Sequence, residues 1–203
     1  PLEQLASMHI DEEKGIATVE DAWQGACDIV AENISDSADV RKLLRKELQS
    51  TGELVSELII DEKDAPEFLQ YRDYSEPVRQ LPPHRILAMN RGEDKKALKI
   101  SLRCPDEKLI AKVAQKLNLK EQSPFYTYYH NALTDSYKRL LLPSLERELR
   151  NELTEKAEKQ AISVFAANLR QLLLTQPISG NTVLGLEPGY RPGCKTAGID
   201  ANG

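Results

Sequence analysis

Lys108, Lys112 and Lys116 recur every four residues, with Lys120 one step beyond, so on a helix their ammonium groups share one face. Such a stripe can neutralise successive phosphates of a nucleic acid, and binding of that kind falls steeply as salt rises. It is equally what a solvated helix face looks like, because neither aromatic residues nor a glycine-rich loop interleave it. Arg85 and Arg91, six residues apart, carry the planar fork that reads phosphate or carboxylate bidentately. Their other use is to pair with acidic residues of the chain itself and hold a linker in place.

Other residue types offer less chemistry. His9, His84 and His130 stand alone, without a partner at metal-ligand spacing or an adjacent carboxylate motif, and read as structural. Phe125, Tyr126, Tyr128, Tyr129 and Tyr137 would form a stacking platform only if exposed on a basic groove, and on a helix they are expected to pack against neighbours. The run Gly189 to Thr196 approaches the G-x-x-x-x-G-K-[ST] phosphate loop, but Cys194 stands where the second glycine must be and no long helix follows. A turn between two strands accounts for it. No catalytic residue, metal ligand or cofactor is therefore expected.

The charges point to how these groups are used. Of 203 residues, 27 are basic and 32 acidic, giving a net charge of -5. Residues 1–76 hold 19 acids and 7 bases, net -12, whereas residues 85–120 hold 4 acids and 10 bases, net +6. That asymmetry means either a polyanion partner for the basic part or two parts that face each other. A composition 40% hydrophobic and 29% charged excludes a disordered chain, and the lack of a long apolar run excludes a membrane span. Three scattered cysteines, Cys27, Cys104 and Cys194, argue against a disulfide framework or a zinc site and suit the cytoplasm. The missing initiator methionine and the final Ala-Gly-Ile-Asp-Ala-Asn-Gly read as a segment of something longer.

The elements that must position these residues are mostly helical. Residues 19–34 and 38–49 show helical apolar spacing, with Thr18 and Ser37 as N-caps and Gly52 as a stop. Leu54 to Ile60 is too short for periodicity to separate strand from helix end. Four prolines between Pro66 and Pro83 make a linker. A short helix at 84–90, an alternating strand at 98–102 and a helix at 105–118 opened by Pro105 come next. Ser123-Pro124 caps a helical stretch that runs to Leu174, interrupted at Pro143. Beyond Pro143, Leu145, Leu149, Leu153, Ala157, Ala161, Ile162, Phe165, Leu169 and Leu173 keep one apolar face, which predicts a buried spine helix of about eight turns. A short hairpin, Thr182 to Leu186 and Lys195 to Asp200, then opens a domain of another kind. The fold expected is mainly α: an acidic helical part and proline-rich linker at 1–80, a central scaffold with the basic segment and spine at 81–178, and the truncated start of an α/β domain at 180–203.

Four motifs in order carry a family resemblance: His84-Arg85-Ile86-Leu87-Ala88-Met89-Asn90-Arg91-Gly92-Glu93, Lys138 to Glu148, Ala161 to Arg170, and Val183 to Lys195. Together they resemble the Tex family of bacterial transcription accessory proteins. The resemblance implies a long, mostly helical, cytoplasmic nucleic-acid-binding protein, whose later modules include a YqgF-type ribonuclease H-like domain, helix-hairpin-helix elements and an OB-fold. It makes this chain the central helical region plus the first hairpin of the YqgF-type domain. The expected function is non-enzymatic scaffolding of RNA- or DNA-binding modules, with Arg85, Arg91, Lys108, Lys112 and Lys116 as the candidate contacts and the transcription machinery as a further partner. One alternative is a protein-interaction scaffold that docks a partner on helices 17–49. The other is a resolvase-type nuclease in the parent, because Glu187 sits where ribonuclease H-like enzymes place a metal-binding first-strand Asp. Glu in place of Asp lengthens that ligand by a methylene, and Pro192 replaces the usual Thr, so the domain reads as degenerate.

Overall fold

The computed structural model describes residues 2–11, 15–176, 180–189 and 193–200. Its contacts divide the chain into two compact units, 1–161 and 162–203. Among the described residues no helix is long and apolar enough to cross a membrane.

The first unit opens with α1 (Leu2–Ser7) and α2 (Val19–Asp36). Thr18 caps α2 in a capping box: its hydroxyl accepts from the Asp21 N–H, and the Asp21 carboxylate accepts from the Thr18 N–H. Ser37 ends α2 and caps α3 (Ala38–Thr51). Gly52 stops α3, and there a Cβ would lie 2.4 Å from the Leu48 carbonyl oxygen, so only glycine lets the chain turn into β1 (Glu53–Leu58). The undecided segment after Gly52 is thus a strand. It forms the middle of an antiparallel sheet ordered β2-β1-β3, with β2 at Asp73–Pro77 and β3 at Leu98–Arg103. Being central, β1 buries Leu54, Val55 and Ser56 in succession, and the Ser56 hydroxyl donates to the Tyr71 carbonyl at 2.7 Å.

Between β1 and β3 the proline-rich stretch makes 3-10 turns at Pro66–Tyr71 and Val78–Gln80, and then α4 (Pro83–Asp94). α5 spans Asp106–Lys116, with Pro105 at its N-cap. α6 starts at Tyr126, two residues later than Ser123-Pro124 suggested; Phe125 holds the N-cap, and the Ser123 hydroxyl accepts its N–H. The interruption before α7 (Leu142–Leu173) takes an unexpected form: Ser136–Leu141 is a π-helix in which the Leu142 N–H reaches back to the Tyr137 carbonyl. The wider turn accommodates Pro143, whose ring would strike the carbonyl four residues earlier in a regular α-helix.

Two apolar cores fill this unit. One joins α2, α3, α5, α6 and the first turns of α7 around Leu44, Leu48, Val113, Tyr137 and Leu145. The other packs α4 on the sheet around Phe68, Met89, Leu98 and Ile100 and takes in Ala157 of α7. Leu153 packs against both, and both draw on residues from either side of residue 80.

The second unit holds the end of α7 and an antiparallel hairpin of β4 (Val183–Pro188) and β5 (Cys194–Ile199). Here the buried-spine expectation is corrected. Leu145, Leu149 and Ala157 are buried, but Ile162 and Phe165 are each 67% exposed, Leu169 is 40% and Leu173 73% exposed. Periodicity identifies a face that would gain from burial; it carries no information on whether a partner surface is present. Leu184 and Leu186 of β4 are exposed as well, since a lone hairpin has no second layer to pack on.

Candidate nucleic-acid interface

The lysine stripe lies on α5, whose apolar residues Leu109, Ile110 and Val113 are buried. α5 packs beside α3, and that neighbour takes up two of the three ammonium groups. Lys112 Nζ sits 2.6 Å from Glu47 Oε2, and Lys116 Nζ 3.6 Å from Asp39 Oδ2. Lys108 is exposed and makes no ion pair among the described residues.

Arg85 is similarly occupied. Its guanidinium donates to Glu76 Oε2 at 2.9 Å and to the Tyr74 hydroxyl, and stands 5.0 Å from the centre of the Tyr74 ring. The Tyr74 hydroxyl in turn donates to Glu76. This fixes the start of α4 to β2, the linker-holding role that the sequence left open. Lys95 pairs with Glu67 at 2.9 Å and lies over the Phe68 ring, and Arg103 approaches Glu53 at 3.9 Å. Five of the ten basic residues in 85–120 therefore pair with acids of residues 1–76. Half of the basic segment's charge is thus answered within the fold.

Arg91 differs: it is exposed on α4 and free of ion pairs among the described residues. It lines a groove of about 860 Å³ between α4 and α7, together with Asn90, Arg147, Asn151 and Thr154. The groove is held open by two ties. Arg150 donates to Glu93 through Nη1, at 3.0 Å, and Nη2, and the Asn90 amide donates to Thr154 Oγ1 at 2.8 Å. Arg147, exposed and unpaired among the described residues, was not singled out from sequence. Its signal was helical spacing: 147, 151, 154 and 158 fall on the face of α7 turned to α4. Glu93, Asp94, Glu146 and Glu158 also line the groove, so it is mixed in charge.

Burial governs the remaining chemical groups. Tyr137 is fully buried, and its hydroxyl donates to Asp106 Oδ1 at 2.7 Å, beside the Cys104 thiol, which reaches the same oxygen at 3.1 Å. Desolvation pushes the Cys104 thiol up to about 11 and the Tyr137 phenol upward also, so both stay protonated at neutral pH. This half-buried trio ties the start of α5 to the π-helix. His130 lies 5.7 Å from the Tyr126 ring, and His9 and His84 are exposed. Among the described residues no three His, Cys, Asp or Glu side chains converge as a metal site would need. Glu187 is 3.5 Å from Lys195, its partner across the β4–β5 ladder. In the phosphate-loop-like run the Gly189 N–H bonds to the Gly193 carbonyl at 3.1 Å, and a strand, not a helix, follows from Cys194. Residues 190–192, and Pro192 with them, lie outside the described residues.

Comparison with known proteins adds sequence relatives to this geometry. A family model described as Tex central region-like matches residues 2–165. A Bacillus subtilis protein named YdcI is 41% identical over 206 residues, covering 100% of this chain and 28% of that protein. The human "S1 RNA-binding domain-containing protein 1" is 37% identical over 91% of this chain and 20% of its own length. A Neisseria gonorrhoeae relative named "Transcriptional accessory protein Tex" is 35% identical over 90% of this chain and 25% of its own length. The chain thus spans between a fifth and under a third of the relatives it matches.

Proposed function

This chain belongs to the Tex central-region family, and from that membership we propose that it is the helical, non-enzymatic scaffold of a longer nucleic-acid-binding protein that assists transcription. The names of two relatives, one transcriptional and one RNA-binding, support the biological setting. The inward pairing of the basic segment supports the scaffold role. Lys112, Lys116 and Arg85 hold Glu47, Asp39 and Glu76, and a cation already paired gains less from a phosphate than a free one does. Exposed pairs of this kind contribute only about 0.2–1 kcal/mol each, so they set complementarity between the two halves more than they set stability. Arg91, Arg147 and Lys108 are among the cations without an ion pair among the described residues, and so are open to an incidental polyanion contact.

Fluorescence anisotropy of the chain against labelled single-stranded RNA and duplex DNA, at low and at physiological salt, tests this reading. A scaffold gives weak binding that vanishes at physiological salt and drops further in Arg91→Glu with Arg147→Glu. Tight binding that persists at physiological salt and is lost in Lys108→Glu with Lys112→Glu would make the stripe a contact surface and overturn the proposal. The non-enzymatic part rests on Glu187, held against Lys195 and one methylene longer than the expected Asp. Mg²⁺-dependent cleavage by the longer protein, abolished by Glu187→Gln, would overturn that part alone.

A further inference from the structure

We propose that the trough between α2 and α6 docks a cationic amphipathic helix of a partner protein. One end of the trough is apolar, about 500 Å³, with Trp23, Val30, Leu117, Phe125, Tyr128 and Tyr129 among its walls. An adjoining cavity, also about 500 Å³, is lined by Glu3, Glu20, Asp28 and Asp135. The two share Trp23, Cys27, Tyr128 and Ala132, so apolar and acidic ends form one continuous surface.

The floor is pre-organised. Trp23 stacks on Tyr128 with ring centres 4.2 Å apart, and Phe125 is 6.3 Å from Trp23. Rigid aromatic anchors lose little side-chain entropy on binding. The rim is open: Phe125 is 39% and Tyr129 41% exposed. Exposed apolar surface bordered by charge is the usual form of a helix-in-groove site, in which the partner lays anchors of helical spacing into the groove.

Charge chooses the partner. Glu3 and Glu20 make no ion pair among the described residues, and Arg139 is shared between Asp28 at 3.9 Å and Asp135 at 2.7 Å. Lys120 is the one charged residue lining the apolar end. The uncompensated carboxylates would repel a phosphate backbone or an anionic lipid surface and attract Lys and Arg on a helix. A second copy of the chain is a poor occupant, because its own lysine-rich helix, α5, has its apolar residues buried.

Trp23 is the single tryptophan of the chain, so its emission reports on the trough directly. The probe is a tryptophan-free Leu/Lys peptide of about five helical turns. Its controls are a scrambled peptide of the same composition, a Leu/Glu helix and single-stranded RNA. The Leu/Lys helix should shift Trp23 emission saturably, and the three controls should not. Phe125→Asp keeps α6 intact, because it places a good capping residue at the N-cap, and it should weaken the Leu/Lys helix about tenfold or more. Glu3→Lys with Glu20→Lys should do the same, whereas Asp61→Lys with Asp64→Lys, outside the trough, should change nothing. An equal response to the scrambled peptide, to the Leu/Glu helix or to RNA overturns the proposal, as does unchanged binding in trough variants whose circular dichroism and melting are native. The salt-dependence of RNA binding tested above is read on other residues, so either proposal can fail without the other.

Discussion

Replacing Leu149 by Ala and, separately, Phe165 by Ala measures how far α7 is packed. Leu149 is 5% exposed and belongs to the α2–α3–α5–α6 core. The substitution removes three carbons, worth about 0.8 kcal/mol each in transfer, and leaves a cavity that the surrounding helices close only in part. The expected loss is about 3–4 kcal/mol. Phe165, two-thirds exposed, has only the remaining third of its surface to lose, so at about 3 kcal/mol for full burial its substitution costs under about 1 kcal/mol. Urea denaturation of each variant, followed by far-ultraviolet circular dichroism, gives both numbers. A cost for Phe165→Ala equal to that of Leu149→Ala would show that the outer face of α7 is covered and would refute the exposure on which the two-part description of the helix rests.

Two further expectations are simpler to state. Gly52→Ala should destabilise by about 1–3 kcal/mol, because its Cβ would meet a backbone carbonyl oxygen at 2.4 Å and a helix end cannot retreat as a flexible side chain can; an unchanged melting temperature would refute the close approach. Cys104, with its thiol pushed up to about 11 from 9.0, should carry about 0.1% thiolate at pH 8 and alkylate last, while exposed Cys194 alkylates first. The folded protein holds the Cys104 proton more tightly than the unfolded chain, so the stabilisation is full below pH 9 and is lost as pH rises toward 11. At 1.36 kcal/mol per unit it is at most about 2.7 kcal/mol, and a pH–stability slope over that window that is no shallower in Cys104→Ser would refute it.

What the sequence made legible was whatever repeats along it. The capping box at Thr18 and Asp21, the alternation of Leu98, Ile100 and Leu102, and the buried stripe on α5 depend on neighbours a few residues away. The central position of β1 was hidden because a strand buried on both faces loses its alternation. The π-helix was hidden too: Pro143 announces a disturbance, yet the chain absorbs it a full turn earlier, where nothing in Ser136–Leu141 marks it. Helical spacing puts Arg147 on one face of α7, but that this face meets α4 depends on residues more than fifty positions apart, as Asn90 and Thr154 are, and no local pattern reports such a meeting.

The charges show most clearly how three-dimensional pairing decides what a pattern means. A stripe of lysines four apart is the same string whether it faces phosphate or carboxylate. The difference lies on α3, where Asp39 and Glu47 stand eight residues apart, so that both look out from one side of that helix. Lys112 and Lys116, one turn apart on α5, meet Glu47 and Asp39 in reverse order. That reversal is the mark of two helices running antiparallel with matched charge. Those two acids are therefore spent within the fold, while Glu20 of α2 makes no ion pair among the described residues. Glu3 and Glu20, which line the trough between α2 and α6 and make no ion pair among the described residues, are the acids that a cationic helix docked there would meet, whereas Lys112 and Lys116 are already answered within the fold.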